Sequence, residues 1–244
     1  MEQQLESARH NGASAGIVNG PAHEFIAVCS HELRNSLGGI RNAASILRMD
    51  VSAGPAVIKA RLLIERQVAQ MARLVEDLLD VSRIRGGQLR LHCERIDLCE
   101  VVAHSVQTVE LTLQRHNHQL TLSLPGRPVW LHADATRLEQ VFVNLLVNAA
   151  KYTDAGGRIG LSVCREGAEA VVRISDTGIG ITAGVLPNVF DLFVQASPSS
   201  RADAGLGIGL ALVRSLVESH DGSVTAASAG SRQGSEFTVR LPAE

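Results

Sequence analysis

His31 and Glu32 are neighbours within Phe25–Leu47, a stretch whose apolar residues mark out a helix. Ile26, Leu33, Leu37, Ile40, Ala44 and Leu47 follow one another at gaps of seven, four, three, four and three, a narrow stripe of the kind that forms a bundle seam. His31, Glu32 and Arg34 fall off that stripe, on its flank or wet side. An imidazole beside a carboxylate, on a rigid helix and open to solvent, can act as a nucleophile; an isolated His in such a place is more often a solvated surface residue.

Three further groups gather in the second half. Asn144, Asn148 and Lys151 follow at gaps of four and three, so a helix carries them on one face. Two amides and an ammonium on an otherwise apolar helix are costly to bury without partners. Mg²⁺ takes oxygen ligands and Lys pairs with phosphate, so a Mg²⁺–nucleotide would satisfy the set, although helix capping or an internal amide network explains two asparagines equally well. Asp176-Thr177-Gly178-Ile179-Gly180 closes an expected strand. Its glycines admit a flat ligand and Asp176 can accept from an exocyclic amine; alone, it is also a plain strand-to-loop turn. An aspartic-protease reading needs a second such carboxylate, and no other Asp-Thr-Gly occurs in the chain. Gly205-Leu206-Gly207-Ile208-Gly209-Leu210 opens a helix whose N–H groups can hold phosphates, or is simply a turn; a dinucleotide-binding reading is weak without a surrounding Rossmann unit.

These groups need elements to position them. Residues 1–20 are small and polar, a flexible lead-in or fraying helix. Pro21 suits a first helical turn, and a helix is expected to about Arg48. Asp50–Pro55 has turn chemistry, and a second helix is expected from about Ala56 to Ile84, with Ile64, Val68, Met71, Val75 and Leu78 on its stripe and Gly86-Gly87 at its end. A two-helix hairpin cannot bury its own seam, so pairing with a second copy in a four-helix bundle is the economical solution.

Beyond Gly87 strands and helices mix. QLRLHCERIDL reads as a strand, Leu98–Arg115 as a helix, and HQLTLSLP and PVWLHAD as strands about Pro125-Gly126. Asp134 is placed to cap an amphipathic helix from Ala135 to about Lys151. GRIGLSVCRE and AEAVVRISD form a hairpin around Gly167; Ile181–Gly205 is mostly loop around VFDLF; Ile208–Ser219 is a helix, followed by the strands GSVTAAS and SEFTVRL. The fold class expected is α+β, an N-terminal antiparallel helical hairpin followed by an α/β sandwich with one mixed sheet, divided as 1–20, 21–86 and 87–244.

The totals narrow the function class. At 244 residues the chain holds one large or two smaller domains. Aromatics make up 3% and the formal net charge is −2, against a nucleic-acid partner bound by stacking or bulk charge. Cys29, Cys93, Cys99 and Cys164 are scattered without a CxxC pair, as reduced thiols in a cytoplasmic protein are. No apolar run reaches the ~20 residues of a membrane span, and the start lacks a signal-peptide pattern; an upstream sensor or membrane part of a longer protein is compatible with this.

From Pro21 to Pro242 the chain resembles the catalytic core of a two-component sensor histidine kinase. SHELRNSL at Ser30–Leu37 resembles the phosphoacceptor box, RLEQVFVNLLVNAAKYT at Arg137–Thr153 the N box, and DTGIGI at Asp176–Ile181 the first glycine box. VFDLF at Val189–Phe193 is similar to the F box, GLGIGLAL at Gly205–Leu212 to the second glycine box, and GSEFTVRLP at Gly234–Pro242 to the closing strand. The resemblance implies a dimeric domain carrying His31, an ATP-binding domain of Bergerat type, and phosphoryl transfer from ATP through His31 to an aspartate of a response regulator. It implies that Glu32 orients and deprotonates the imidazole, that Asn148 ligates Mg²⁺, that Lys151 contacts phosphates and that Tyr152 lines the adenine pocket. Asp176 would take the adenine amine, Gly178 and Gly180 would shape its pocket, and Gly205, Gly207 and Gly209 would bound the phosphates and the lid, Val194–Ala204. Arg201 joins the phosphate contacts from charge and location alone.

Asn144 stands where ATP-hydrolysing relatives carry a glutamate base; an amide cannot activate water, which favours transfer over hydrolysis. Asn35-Ser36 replaces the family's common Thr-Pro, so less of a bend is expected there. Asn35 is also the amide that, in the family, positions water for dephosphorylating the regulator, which leaves phosphatase activity open. An ATPase of the same fold and a non-catalytic scaffold are the alternatives; the His31 box disfavours the first and the complete set of nucleotide-site groups the second.

Overall fold

The computed structural model describes residues 37–45, 47, 55–85, 90–194 and 207–244. It divides into two compact units, Met1–Met71 and Ala72–Glu244, with the division inside a helix. Of the candidate site residues, His31, Glu32, Asn35, Arg201 and Gly205 lie outside the described residues, as do the expected lead-in, the start of the first helix with Cys29, the turn from Asp50 to Gly54, Gly86-Gly87 and all of the expected lid but Val194.

In the first unit, α1 is helical at residues 37–45 and 47, and α2 starts at Pro55, where its missing N–H costs nothing. Gly39 faces Gln67: a β-carbon there would stand 3.3 Å from Gln67 Cγ, so the absence of a side chain sets how closely the two helices approach. Ala43 and Ala60 are buried, while Leu37, Leu47, Ile58, Leu62, Leu63 and Val68 are all more than a third exposed. Of the stripe expected from periodicity, Leu37, Leu47 and Val68 are exposed, while Ile40, Ala44, Ile64 and Met71 are half-buried.

In the second unit, after the closing turns of α2 (Pro55–Arg85), come β1 (Glu94–Asp97), α3 (Leu98–Arg115), β2 (Gln119–Ser123), β3 (Trp130–Ala133) and α4 (Ala135–Tyr152). Then follow β4 (Arg158–Glu166), β5 (Glu169–Asp176), a 3₁₀ turn (Leu186–Asn188), α5 (Gly209–Ser219), β6 (Ser223–Ala227) and β7 (Ser235–Pro242). The sheet order is β2-β4-β5-β7-β6, with β2 parallel to β4 and the rest antiparallel, the mixed sheet expected. One point differs: β1 and β3 leave this sheet and pair with each other in a separate antiparallel ribbon. Asp97 explains the arrangement, because its Oδ1 accepts both the Cys99 N–H that starts α3 and the Val129 N–H beside β3.

Helices α3, α4 and α5 pack side by side, and α4 and α5 reach the sheet. Ile159, Leu161 and Val163 of β4, Val172 and Ile174 of β5, and Phe237, Val239 and Leu241 of β7 meet Leu138, Phe142, Leu145, Leu146, Leu212 and Leu216 in one aliphatic core. Burying each large side chain is worth roughly 1.5–3 kcal/mol. Elsewhere on the strands, Arg173 and Arg240 donate to Glu166, at 2.5 and 2.9 Å. Hydrogen bonds from Arg173 first and Arg240 second hold that carboxyl below the usual carboxylate range. Gly167, at φ +65, closes the β4–β5 hairpin.

Candidate active site

Helix α4 positions the first group. Asp134 caps it as foreseen: Oδ1 accepts from the Arg137 N–H at 3.1 Å, and Oδ2 accepts from the His92 N–H at 3.0 Å. The backbone N–H of Asp134 in turn donates to His220 Nε2 at 3.1 Å. With Nε2 accepting, the ring proton sits on Nδ1, which donates to Leu216 O at 2.8 Å, so His220 ties the start of α4 to the end of α5. Neither His220 nor this tie was foreseen from the sequence. Along the helix, Leu138, Val141, Phe142, Leu145, Leu146, Ala149 and Ala150 are buried, and Asn144, Asn148, Lys151 and Tyr152 are only half-buried.

Asn144 lies midway along the helix. Its Nδ2 is buried and has no hydrogen-bond partner. An internal amide network would have satisfied it, and burying an unsatisfied donor costs about 1–3 kcal/mol. The amide lies beside the start of α5: a β-carbon on Gly209 would stand 4.0 Å from Asn144 Cγ. Among the described residues, the N-cap Ile208 gives α5 no side-chain hydrogen bond. The Asn144 amide and the first turn of α5 thus lie side by side. Lys151 lies at the far end of the same stripe, with Nζ 4.8 Å from the Tyr152 ring centroid.

The second group is held from two sides. Asp176 ends β5, where it pairs with Ser235 on β7, and Ser235 Oγ donates to Asp176 Oδ2 at 2.5 Å. Asp176 Oδ1 accepts from the Gly178 N–H at 2.7 Å. Both oxygens are thereby oriented, and lone pairs remain for a ligand's N–H. Nothing in the local pattern of the closing strand marks Ser235; cross-strand pairing makes it Asp176's neighbour.

The glycines shape this edge by close approach. A β-carbon at Gly178 would fall 2.3 Å from Tyr152 O, which also accepts from the Ile179 N–H at 3.0 Å, so the end of α4 is laid directly on the glycine loop. Gly180 has φ +68, and a β-carbon there would lie 2.0 Å from Gly230 O. Gly207 accepts from the Phe193 N–H at 3.0 Å, which joins the VFDLF turn to the run that opens α5. Asn144, Asn148, Lys151, Tyr152, Asp176, Gly178, Gly180, Gly207 and Gly209 therefore all belong to the second unit, on α4, the β5–loop edge and the head of α5. No group of three or more metal-binding His, Cys, Asp or Glu side chains occurs among the described residues.

Two family models match the chain. "His Kinase A (phospho-acceptor) domain" matches residues 22–87, and "Histidine kinase-, DNA gyrase B-, and HSP90-like ATPase" matches residues 133–244. The chain belongs to the two-component histidine kinase family. This kinase core is 38% identical over 225 residues to the sensor histidine kinase TrcS of Mycobacterium tuberculosis, covering 90% of this chain and 43% of that protein. It is 35% identical over 219 residues to the sensor protein KdpD of Escherichia coli, covering 89% of this chain and 24% of that protein. The chain therefore spans less than half the length of these relatives. Among solved structures, the histidine kinase AdeS of Acinetobacter baumannii superposes with a TM-score of 0.69 at 27% identity, over 87% of this chain and 97% of that one.

Proposed function

We propose that this chain is an ATP-dependent kinase that phosphorylates its own His31 and passes the phosphoryl group to an aspartate of a response regulator. The observation that carries the reading is the partnerless Asn144 amide beside the uncapped start of α5. A triphosphate supplies what both lack, and Asp176, already fixed by Ser235 and Gly178, supplies the acceptor for an adenine amine.

In this reading Asn148 holds Mg²⁺, which when bound neutralises charge on the phosphate oxygens. The chain's own groups do the rest. Neutral His31 attacks the γ-phosphorus with a ring-nitrogen lone pair; the bond to the bridging oxygen breaks, ADP leaves, and the imidazole N–H proton passes to Glu32. Lys151 swings from Tyr152 to the phosphates and offsets the charge developing there. Tyr152, Gly178 and Gly180 line the base pocket; Gly205, Gly207, Gly209 and Arg201 bound the phosphates. Asn144 donates to phosphate and, being an amide, activates no water, so transfer outruns hydrolysis. Asn35 positions water for the reverse job, removal of phosphate from the regulator.

The domain limits that accompany this reading are 21–86 for dimerisation and phosphotransfer and 87–244 for ATP binding. The exposed apolar side chains of α1 and α2 are covered by a second copy in a homodimer. No described helix is long and apolar enough to cross a membrane, and the cytoplasm, where ATP and receiver domains reside, is the compartment proposed. Incubation with γ-labelled ATP and Mg²⁺, wild type beside His31→Gln, tests the reading. Acid-labile, base-stable label confined to the wild type is expected; label surviving in His31→Gln would mean another nucleophile, and ATP binding with no label would favour a scaffold.

A further inference from the structure

The connection between β6 and β7, residues 228–234, carries a side chain that the chemistry above does not use. Ser228 is half-buried, and main-chain groups engage its hydroxyl from both sides. Oγ accepts from the Ile181 N–H at 3.0 Å and from the Gly230 N–H at 3.3 Å, and it donates to Gly234 O at 2.6 Å. Gly230 O is a longer second acceptor at 3.4 Å. A serine hydroxyl has one proton and two lone pairs, and all three are taken.

These partners belong to two strips of backbone laid against each other. One is the glycine run Asp176–Ile181, whose last residue, Ile181, is 6% exposed. The other is the β6–β7 connection, which backs that run along its length. The Arg232 N–H donates to Ile179 O at 2.6 Å, and the Gly234 N–H donates to Gly178 O at 3.1 Å. The approach is backbone to backbone, since a β-carbon on Gly234 would lie 1.9 Å from Asp176 O. Those ties are made by main-chain atoms; the tie at Ile181 is made by a side chain. The connection also holds Arg232 at φ +61, a conformation that residues with a β-carbon seldom adopt. Strained backbone of this kind keeps its shape only where its surroundings fix it, and Ser228 fastens the connection to itself at Gly230 and Gly234 and to the glycine run at Ile181.

We propose that Ser228 is a positioning residue for base recognition: its hydroxyl fixes Gly178–Ile181 where that run meets the adenine ring. This rests on the kinase reading above. Asp176 is oriented by Ser235 and by the Gly178 N–H, so the acceptor for the adenine amine does not depend on Ser228 directly. Asn144, Asn148 and Lys151 lie on α4, outside the two strips that Ser228 joins. Loss of the hydroxyl therefore displaces the wall of the base pocket and leaves the phosphate-directed groups in place, so the affinity for the base separates from the affinity for phosphate.

The test uses the full chain: wild type, Ser228→Ala and Ser228→Thr, each titrated by calorimetry with ADP and with inorganic tripolyphosphate in the presence of Mg²⁺. Expected for Ser228→Ala is a Kd for ADP weakened about tenfold, with tripolyphosphate within about twofold of wild type. Ser228→Thr, which keeps the hydroxyl, should bind ADP within about threefold of wild type. In autophosphorylation, Ser228→Ala should raise KM for ATP about tenfold and leave kcat within about twofold. Unchanged ADP affinity would overturn the role. So would equal losses for ADP and tripolyphosphate, a fall in kcat at unchanged KM, or a threonine variant as weak as the alanine one. A wild type that binds ADP and takes no label on His31 would count against the kinase reading alone, and the calorimetry would still decide the role of Ser228. A wild type that binds tripolyphosphate as tightly as ADP would sink the base pocket and this role with it. Should Ser228→Ala lose its cooperative melt, Ser228→Cys, whose thiol is a weaker donor and acceptor, takes its place in the same titrations.

Discussion

Replacing Asn144 with Leu should stabilise the protein and cripple its binding of nucleotide. Leucine keeps the branch at Cγ and removes a buried Nδ2 that has no partner in the fold. Eliminating an unsatisfied buried donor recovers about 1–3 kcal/mol, and leucine's higher helix propensity adds a few tenths. The site has room, since a β-carbon on Gly209 would still be 4.0 Å from the branch atom. A net gain of about 1–2 kcal/mol corresponds to a melting temperature higher by about 3–6 °C for a fold of this size. The same change removes a hydrogen bond to a charged ligand, worth about 1.5–3 kcal/mol, or about 10- to 150-fold in Kd. Differential scanning fluorimetry with and without Mg²⁺ and a non-hydrolysable ATP analogue reads both effects in one titration. Wild type should melt lower alone and gain strongly with nucleotide, and Asn144→Leu should melt higher alone and gain little. A variant that melts below wild type without nucleotide would show that the amide is satisfied, and the argument for an anionic ligand at this place would fall.

Gly180→Ala should lose about 2 kcal/mol or more of stability, because alanine must hold φ +68 with its β-carbon 2.0 Å from Gly230 O; urea unfolding checks it. Asp176→Asn should fold, since an amide oxygen still accepts from Gly178, yet bind ATP analogues at least about tenfold more weakly by calorimetry, having lost a charged acceptor. Burial first, and the nearby Asp97 charge second, push the Cys99 thiol above its ordinary range, so at pH 8 iodoacetamide should label exposed Cys93 well before Cys99, with Cys99 catching up only as pH rises. Glu166, held below the usual carboxylate range by Arg173 and Arg240, contributes stability present above the unfolded-state value and lost as pH falls through the folded one. Melting of wild type against Glu166→Gln should therefore differ slightly at pH 7, and that difference should vanish toward pH 3 and in high salt.

Much of the fold was legible because it is locally encoded. Leu98–Arg115 was delimited to the residue, since Asp97 caps it and the apolar period runs unbroken. Asp134 and the Gly167 hairpin were readable for the same reason: a cap and a turn are made by residues a few positions apart. The face that carries Asn144, Asn148 and Lys151 follows from 3.6 residues per turn. Less legible was the partnering of β1 with β3 outside the main sheet, because alternation declares a strand without naming its neighbour. The expected first strand also began too early: residues 90–93 alternate but carry no ladder.

The sequence by itself placed Asn144, Asn148 and Lys151 on one face of a helix and Asp176 at the end of a strand, because helical period, capping and turn chemistry act over a few residues. The tertiary structure alone decided which residues meet. Ser235 steadies Asp176 across a strand pair 59 residues apart in sequence, His220 ties α5 to the head of α4, and Asp80 is seated against Arg137. Such pairings arise from strand register and from helices packing over a shared core, which bring together residues whose local patterns carry no mark of each other.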